Sequence, residues 1–453
     1  MNPYIFREYD IRGIVDKDLT DDVVYRLARG FGTYFKQRGV NKISLGYDCR
    51  LSSEGFRNIL VNGLIETGCN IYDLGMIPTP LLYFSLFNLD VDGGVQITGS
   101  HNPPDNNGFK ICLHKSTIYG DEIQRIRRIV EDGNFYKGTG SVSKKDIITS
   151  YKEYILNNLS IGNMNRNKKI IVDAGNGVGG LVAVPIYRKF GFDVIELFCE
   201  PDGRFPNHHP DPTIVKNMKK LIEKVREKKA HLGIAFDGDA DRIGVVDEKG
   251  EIIWGDQLMI IFSRAILKEL KGAKFIGEVK CSQTLFDDIR KNGGVPIMWK
   301  VGHSLIKAKM REEEAVLAGE MSGHIFFSHK YFGYDDAIYA GARLLEILSN
   351  TDKSISELLS GVPKMVSTPE IRIECPDEKK FEIVKMLTED FKNNHEVIDI
   401  DGARIIFDDG WGLVRASNTQ PVLVLRFEGK SEDSLKNIKN EIESRLKYFI
   451  QKA

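Results

Sequence analysis

HLGIAFDGDADRIGVVD, residues 231–247, places three aspartates between two apolar runs. His231–Phe236 and Ile243–Asp247 read as buried strands, so the acidic segment is the turn that joins them. Asp237, Asp239 and Asp241 alternate with the small residues Gly238 and Ala240, which let the turn curl until three carboxylates converge. That much negative charge is unfavourable without a cation, and an all-oxygen donor set suits a hard one such as Mg²⁺. A plain polar hairpin is the simpler alternative. An EF-hand is a second, since Glu248 falls at the twelfth position. It is opposed by Arg242 at the sixth, where the sharp turn needs glycine, and by strands rather than helices on either side. An aspartate-nucleophile phosphatase built on Asp237 is a third.

Outward from this turn the chain alternates helix and strand. Upstream, the pattern predicts a strand at Lys168–Val172, a glycine-rich turn over Gly175–Gly179 and a helix to about Phe190. Downstream it predicts a helix from Gly255, strands at Lys274–Val279 and Pro296–Trp299, and a helix from His303. An earlier cycle opens with a helix capped by Thr20, with Val24, Leu27, Ala28, Phe31 and Phe35 on one face and Gly39 at its end. Strands at Lys42–Gly46 and Gly94–Thr98 flank a helix at Ser53–Thr67. The last residues read differently, as strands near Glu370–Glu374, Arg404–Phe407, Gly412–Ala416 and Val422–Phe427 enclosed by helices at Glu378–Asn393 and Glu432–Tyr448. The Lys-rich C-terminal helix reads as a solvated surface. The expected fold is α/β: three consecutive α/β domains with mixed sheets, then a small α+β domain. The divisions fall at residues 1–148, 149–252, 253–364 and 365–453. No strong internal sequence repeat is evident, although three successive α/β cycles are suggestive.

Composition agrees with this division. A chain of 453 residues is too long for one core and divides naturally into units of about 100–150 residues. A formal net charge of −1 provides no global field for nucleic acid or an anionic membrane. The first residues are charged and followed by no long apolar run, so neither a signal peptide nor a transmembrane helix is expected. Six scattered cysteines, none in a CxxC pair, suit reduced thiols in the cytoplasm.

Three further stretches carry chemistry. Thr98-Gly99-Ser100-His101-Asn102-Pro103 follows a β-rich run and places a serine in a tight turn. Gly99 permits close approach of an anion, while His101 and, after a polar loop, Lys110 supply donors. The alternative is a surface turn in which Ser100 satisfies only backbone. Gly319-Glu320-Met321-Ser322-Gly323-His324 offers a carboxylate, a hydroxyl and an imidazole, the groups that hold sugar hydroxyls and move a proton. Arg415-Ala416-Ser417-Asn418-Thr419-Gln420-Pro421 combines a guanidinium with hydroxyls and an amide, a fit for a phosphate dianion or a capped turn.

Together, in this order and along the whole chain, these four motifs resemble those of the α-D-phosphohexomutase superfamily. Phe6-Arg7-Glu8-Tyr9-Asp10-Ile11-Arg12-Gly13 is similar to its N-terminal signature. Glu320-Met321-Ser322-Gly323-His324 resembles the sugar loop of the bacterial phosphomannomutase/phosphoglucomutase branch, the phosphoglucosamine branch usually having glutamine where Met321 stands. The resemblance implies four domains around a central cleft, each giving it one loop, with the last domain a lid. It implies interconversion of hexose 1-phosphates and 6-phosphates, of mannose, glucose or both, through a phosphoserine and a hexose 1,6-bisphosphate that also serves as activator. A phosphoglucosamine mutase is the rival within the superfamily. A Mg²⁺-dependent sugar phosphatase and a silent sugar-phosphate binder are rivals outside it.

By the same resemblance, Ser100 is the phosphoserine, and Asp237, Asp239 and Asp241 bind Mg²⁺ together with an oxygen at Ser100. Arg12, His101, Lys110 and Arg242 surround the reacting phosphoryl group. Glu320, Ser322 and His324 hold the sugar, with His324 a candidate proton acceptor. Arg415, Ser417, Asn418 and Thr419 hold the other phosphate, and Tyr9, Lys280 and His303 make further substrate contacts. The expected partners are small-molecule sugar phosphates, with no nucleic acid and no membrane, and the expected assembly is a monomer or weak homodimer.

Overall fold

The computed structural model describes residues 1–162, 168–418 and 420–452. Its strands form four sheets. In the first the order is Ile11–Ile14, Asn106–Leu113, Gly93–Ile97, Lys42–Tyr47, Asn70–Met76 and Val142–Lys144, with Ser116–Thr117 added to Asn106–Leu113. The second runs Ile252–Ile253, Ile243–Asp247, Leu232–Phe236, Lys169–Asp173, Asp193–Leu197. The third runs Tyr334–Asp335, Ile325–Phe327, Leu317–Gly319, Lys274–Glu278, Val295–Trp299.

These three sheets share one topology. Each has a parallel trio joined through helices and then an antiparallel hairpin, the mixed α/β arrangement expected from the sequence. The hairpin turns fall between Ile97 and Phe109, Phe236 and Ile243, and Gly319 and Ile325. Those turns hold Ser100, the three aspartates, and Glu320 to His324. The fourth sheet is antiparallel throughout and carries its motif in the same kind of place, between the paired strands Gly410–Ala416 and Val422–Gly429. The repeat that the sequence only hints at is therefore one of backbone topology.

Local chemistry explains the elements. Helix Asp21–Gln37 starts where Thr20 Oγ1 accepts from Val23 N–H at 3.4 Å, and its face Val24, Leu27, Ala28, Phe31 and Phe35 is buried. One apolar core runs continuously from Leu81 and Phe84 on helix Thr79–Asn88, through Tyr151, Val182 and Ile234, to Phe262, Phe327 and Leu344. It joins the first three sheets through their helices, which holds their hairpin turns in fixed relation. The fourth sheet has its own core around Leu387, Leu425 and Ile442.

Two expectations need correction. The polar loop expected between His101 and Lys110 ends early, because Asn106–Leu113 is a strand that pairs with Ile11–Ile14 along 106–109 and with Gly93–Ile97 along 109–113. Asn106, Asn107 and Gly108 pair with Ile14, Gly13 and Arg12 along one edge, and that pairing overrides their weak strand propensity. The C-terminal helix Glu432–Lys452 is not simply solvated. Leu435, Ile438, Ile442, Leu446 and Phe449 form a stripe buried on the fourth sheet, with the lysines outside it.

Candidate active site

Ser100 adopts φ of 49°, a left-handed conformation uncommon for serine. Its N–H donates to Thr98 Oγ1 at 2.8 Å and its carbonyl accepts from Arg50 Nη2 at 2.8 Å. The buried guanidinium of Arg50 also donates to the carbonyls of Asn102, Pro103 and Asn106. Asp48 completes the brace, with Oδ2 accepting from Thr98 Oγ1 at 2.8 Å and Gly99 N–H at 3.2 Å. A Cβ on Gly99 would lie 2.5 Å from Arg50 Cζ. Gly99 therefore makes room for an internal cation. Neither Asp48 nor Arg50 was singled out in the sequence. The available signal was a charged pair immediately after the apolar strand Lys42–Tyr47.

The serine points into the acidic turn. Ser100 Oγ donates to Asp237 Oδ2 at 2.9 Å and lies 3.1 Å from His101 Nδ1. Asp237 Oδ1 accepts from the N–H groups of Asp241 and Arg242 at 3.0 and 3.1 Å, which fixes the turn. Gly238 is required here because a Cβ would meet the Ser100 carbonyl at 2.4 Å. Asp237, Asp239 and Asp241 are all buried and each offers an oxygen within 4.8 Å of the others. Asp239 Oδ1 and Asp241 Oδ1 are buried acceptors with no hydrogen-bond partner. Burial and the two neighbouring carboxylates push Asp237 well above the ordinary carboxylate range. An orphaned, crowded, all-oxygen set fits a hard divalent cation.

Lys110 projects from its strand between Asp239 and Asp241, bonding the first at 2.9 Å and the second also. Burial pulls its ammonium down, but the two carboxylates outweigh that and hold it above its ordinary value. Thr79 Oγ1 donates to Asp239 Oδ2 at 2.5 Å, a contact with no sequence signal. His101 is held well below its ordinary pKa, first by burial and then by Arg242 and Arg12, so its ring is neutral. Arg12 bonds Asp10 Oδ2 at 2.6 Å and Asn102 Oδ1 at 3.2 Å, which places it beside the serine turn. Arg242 Nε donates to His324 Nε2 at 3.0 Å, linking the second hairpin to the third.

The third hairpin and its surroundings form an adjoining cluster. Glu320 Oε1 accepts from Gly302 N–H at 2.8 Å, and Oε2 accepts from Ser322 Oγ at 3.0 Å. His303 begins helix His303–Glu313 and stacks on His324 with centroids 5.8 Å apart. Burial, then Lys307, holds His303 well below its ordinary pKa. Tyr9 OH donates to the Val301 carbonyl at 3.1 Å and accepts from Asn418 Nδ2 at 3.4 Å. Lys280 Nζ pairs with Glu370 at 3.3 Å. Asp335, another residue the sequence reading missed, lies between His324, His303 and Lys307.

The fourth hairpin reaches this cluster through Asn418 and through Asp401. Arg415 pairs with Asp401 at 3.1 Å, and Asp401 Oδ2 accepts from Val301 N–H at 3.0 Å. Ser417 Oγ accepts from Gln420 N–H at 3.2 Å. Thr419 lies outside the described residues.

Profiles of the phosphoglucomutase/phosphomannomutase alpha/beta/alpha domains I, II and III match residues 3–137, 149–250 and 254–365. The profile of the C-terminal domain matches residues 370–445. This chain belongs to the phosphoglucomutase/phosphomannomutase family. A phosphomannomutase/phosphoglucomutase of Pseudomonas aeruginosa is 46% identical over 98% of this chain and 95% of its own length. A phosphoglucomutase of Neisseria gonorrhoeae is 45% identical over 97% of this chain and 96% of its own. The crystal structure of a phosphoglucomutase/phosphomannomutase family protein from Burkholderia thailandensis superposes with a TM-score of 0.94 at 42% identity, covering 99% of this chain and 98% of that one. The family relationship thus spans all four sheets. Among the described residues no helix is long and apolar enough to cross a membrane.

Proposed function

We propose that this chain interconverts hexose 1-phosphates and hexose 6-phosphates, accepting both glucose and mannose, with Ser100 as phosphoryl carrier. One observation supports this most strongly. Ser100 Oγ, presented by a strained and braced turn, bonds a triad of buried carboxylates that holds orphaned acceptors and a lysine.

In this reading phosphorylated Ser100 donates its phosphoryl group to the free hydroxyl of the bound sugar phosphate, whose proton passes to His324 as the O–P bond forms and the Ser100 Oγ–P bond breaks. The resulting 1,6-bisphosphate reorients in the cleft, and Ser100 takes back the other phosphate. Arg12, Lys110 and Arg242 surround the phosphoryl group, where fixed positive charge stabilises charge spread over its oxygens. When bound on Asp237, Asp239 and Asp241, Mg²⁺ supplies Lewis-acid neutralisation of that charge. As Ser100 recovers a phosphoryl group, the proton moves from His324 back to the departing sugar oxygen, while His101 is a neutral ring beside Ser100 Oγ at 3.1 Å. Glu320 and Ser322 hold the sugar hydroxyls. Arg415, Ser417, Asn418 and Thr419 hold the phosphate that is not reacting, assisted by Tyr9, Lys280 and His303. Met321 offers the substrate no side-chain hydrogen bond, which leaves the C2 position loosely specified. Trace bisphosphate acts as activator by priming Ser100. Burial of all six cysteines as free thiols supports a cytoplasmic protein.

A coupled assay with trace glucose 1,6-bisphosphate tests the proposal on glucose, mannose and glucosamine 1-phosphates. Comparable kcat/KM for glucose and mannose is expected. A strong preference for the glucosamine substrate, or release of inorganic phosphate as the main product, overturns it.

A further inference from the structure

The fourth sheet turns one face toward helices Asp377–Phe391 and Glu432–Lys452 and the other toward the third sheet. Strand pairing sets Arg404, Leu413 and Arg426 side by side on that second face, with Trp411 and Glu428 in the neighbouring row. All five are buried.

These side chains hold one short segment of the third domain. Arg404 Nη1 donates to the carbonyls of Val279 at 2.6 Å and Cys281 at 2.8 Å, and Nη2 donates to Gln283 Oε1 at 3.3 Å. The guanidinium lies over the Trp411 ring, 3.7 Å from its centroid. Arg426 donates to the carbonyl of Lys280. Trp411 Nε1–H donates to Glu428 Oε1 at 2.8 Å, and the same oxygen accepts from Ser282 Oγ at 3.0 Å and Gln283 N–H at 3.2 Å. Two guanidinium groups of the fourth sheet thus hold three successive carbonyls, with Lys280 in the middle.

Two buried guanidinium groups are an unfavourable way to join domains when an apolar face would serve. Burial pulls Arg404 down to about 10, with Glu428 opposing. What directional bonds secure, and apolar contact does not, is the position of the backbone at Lys280. From the opposite side, Glu278 Oε2 accepts from Lys280 N–H at 2.5 Å, and Oε1 accepts from Met321 N–H at 3.2 Å. The Lys280 backbone is therefore fixed between the third hairpin turn and the fourth sheet. Arg415 lies on the same strand and the same face as Trp411 and Leu413.

We propose that Arg404 is a positioning residue for substrate binding. By holding the carbonyls on either side of Lys280 against the fourth sheet, it sets the Lys280 ammonium in register with Arg415 for the phosphate that is not reacting.

The inference rests on the reading of Lys280 and Arg415 as substrate contacts, and affinity rather than activity tests it. Titration calorimetry with glucose 1-phosphate and Mg²⁺ is run in a Ser100→Ala background, where no turnover intervenes, on variants whose melting shows them folded. Arg404→Lys keeps the charge without the planar fork and is expected to weaken Kd about 5- to 20-fold. Lys280→Ala is expected to weaken it at least as much, and Arg404→Lys in that background to add no more than about twofold. With Ser100 restored, Arg404→Lys raises KM in step with Kd and changes kcat less than about threefold. An unchanged Kd in Arg404→Lys, a fall in kcat at unchanged KM, or losses that multiply with those of Lys280→Ala overturns the proposal. If Arg404→Lys does not fold, Trp411→Phe takes its place, keeping a ring beneath the guanidinium but removing the donor to Glu428. It is expected to weaken Kd about two- to fivefold, and an unchanged value overturns the proposal. An unchanged Kd in Lys280→Ala removes the reading of Lys280 and this proposal with it. Weakened, non-additive binding in a protein without mutase activity would leave this proposal standing and remove the functional one.

Discussion

Ser100 Oγ and Asp237 Oδ2 are 2.9 Å apart although 137 positions separate them in the chain. The contact joins the hairpin turn of the first sheet to that of the second. It makes the candidate phosphoryl carrier and the candidate metal site one unit, because the oxygen that would carry phosphate already touches a carboxylate of the triad. The shared core beneath the first three sheets holds the two turns in register.

Metal dependence follows from the triad. Asp239→Asn removes a full negative charge and one of two oxygen donors at an orphaned carboxylate and should weaken Mg²⁺ binding at least about tenfold, with activity recovering only at high metal. Activity titrated against free Mg²⁺ checks this. Undiminished turnover in excess EDTA contradicts it.

Arg50 fixes the serine turn by donating to four carbonyls, those of Ser100, Asn102, Pro103 and Asn106. A lysine is a point charge without that planar fork. Arg50→Lys should therefore slow phosphorylation of Ser100 by about one to two orders of magnitude, with a smaller effect on KM. Rapid-quench measurement of Ser100 labelling from the bisphosphate checks it, and an unchanged labelling rate counts against the brace.

In the proposed reading Arg415 provides the second phosphate contact, and a single cradle serves both orientations of the sugar. Losing a desolvated charge-assisted fork costs on the order of 2–5 kcal/mol, so Arg415→Ala should lower kcat/KM by roughly one to three orders of magnitude in both directions. Asp401 now pairs with Arg415, and a substrate phosphate must compete with it or add to it. Steady-state kinetics from each monophosphate gives the answer. Impairment with only one of them would show two separate cradles.

Glu370 gives a pH prediction. Burial raises its pKa, but Lys280 and Arg372 outweigh that and bring it from 4.5 down to about 2. A carboxylate depressed in the folded state contributes stability above its unfolded pKa and loses it as pH falls toward the folded value. Glu370→Gln should thus destabilise the protein at pH 7 by on the order of 2 kcal/mol, with the difference shrinking steadily from about pH 5 toward about pH 2. Denaturant unfolding of both proteins across that range checks it. A difference independent of pH contradicts it.

Much of this architecture was legible in the sequence. Apolar runs ending in Asp237 and restarting at Ile243 announce a hairpin because strand periodicity is local and the flanking residues are β-formers. The helix after Thr20 announces itself by its cap and its buried face. What escaped was non-local. Asn106 to Gly108 look like loop until pairing with Ile14, Gly13 and Arg12, far away in the chain, makes them a strand. Arg50 and Asp335 look like ordinary surface charges until folding buries them against Ser100 and His324. The topological repeat escaped for the same reason, since it resides in pairing order and not in residue identity.

The central claim is that Ser100 carries the phosphoryl group. Incubation with glucose 1,6-bisphosphate labelled in its phosphates, followed by peptide mapping, tests it most directly. The account predicts one stable label per chain, located on Ser100, absent from Ser100→Ala, and discharged onto added hexose monophosphate. Label found on another residue, or a Ser100→Ala protein that still labels and turns over, would contradict it.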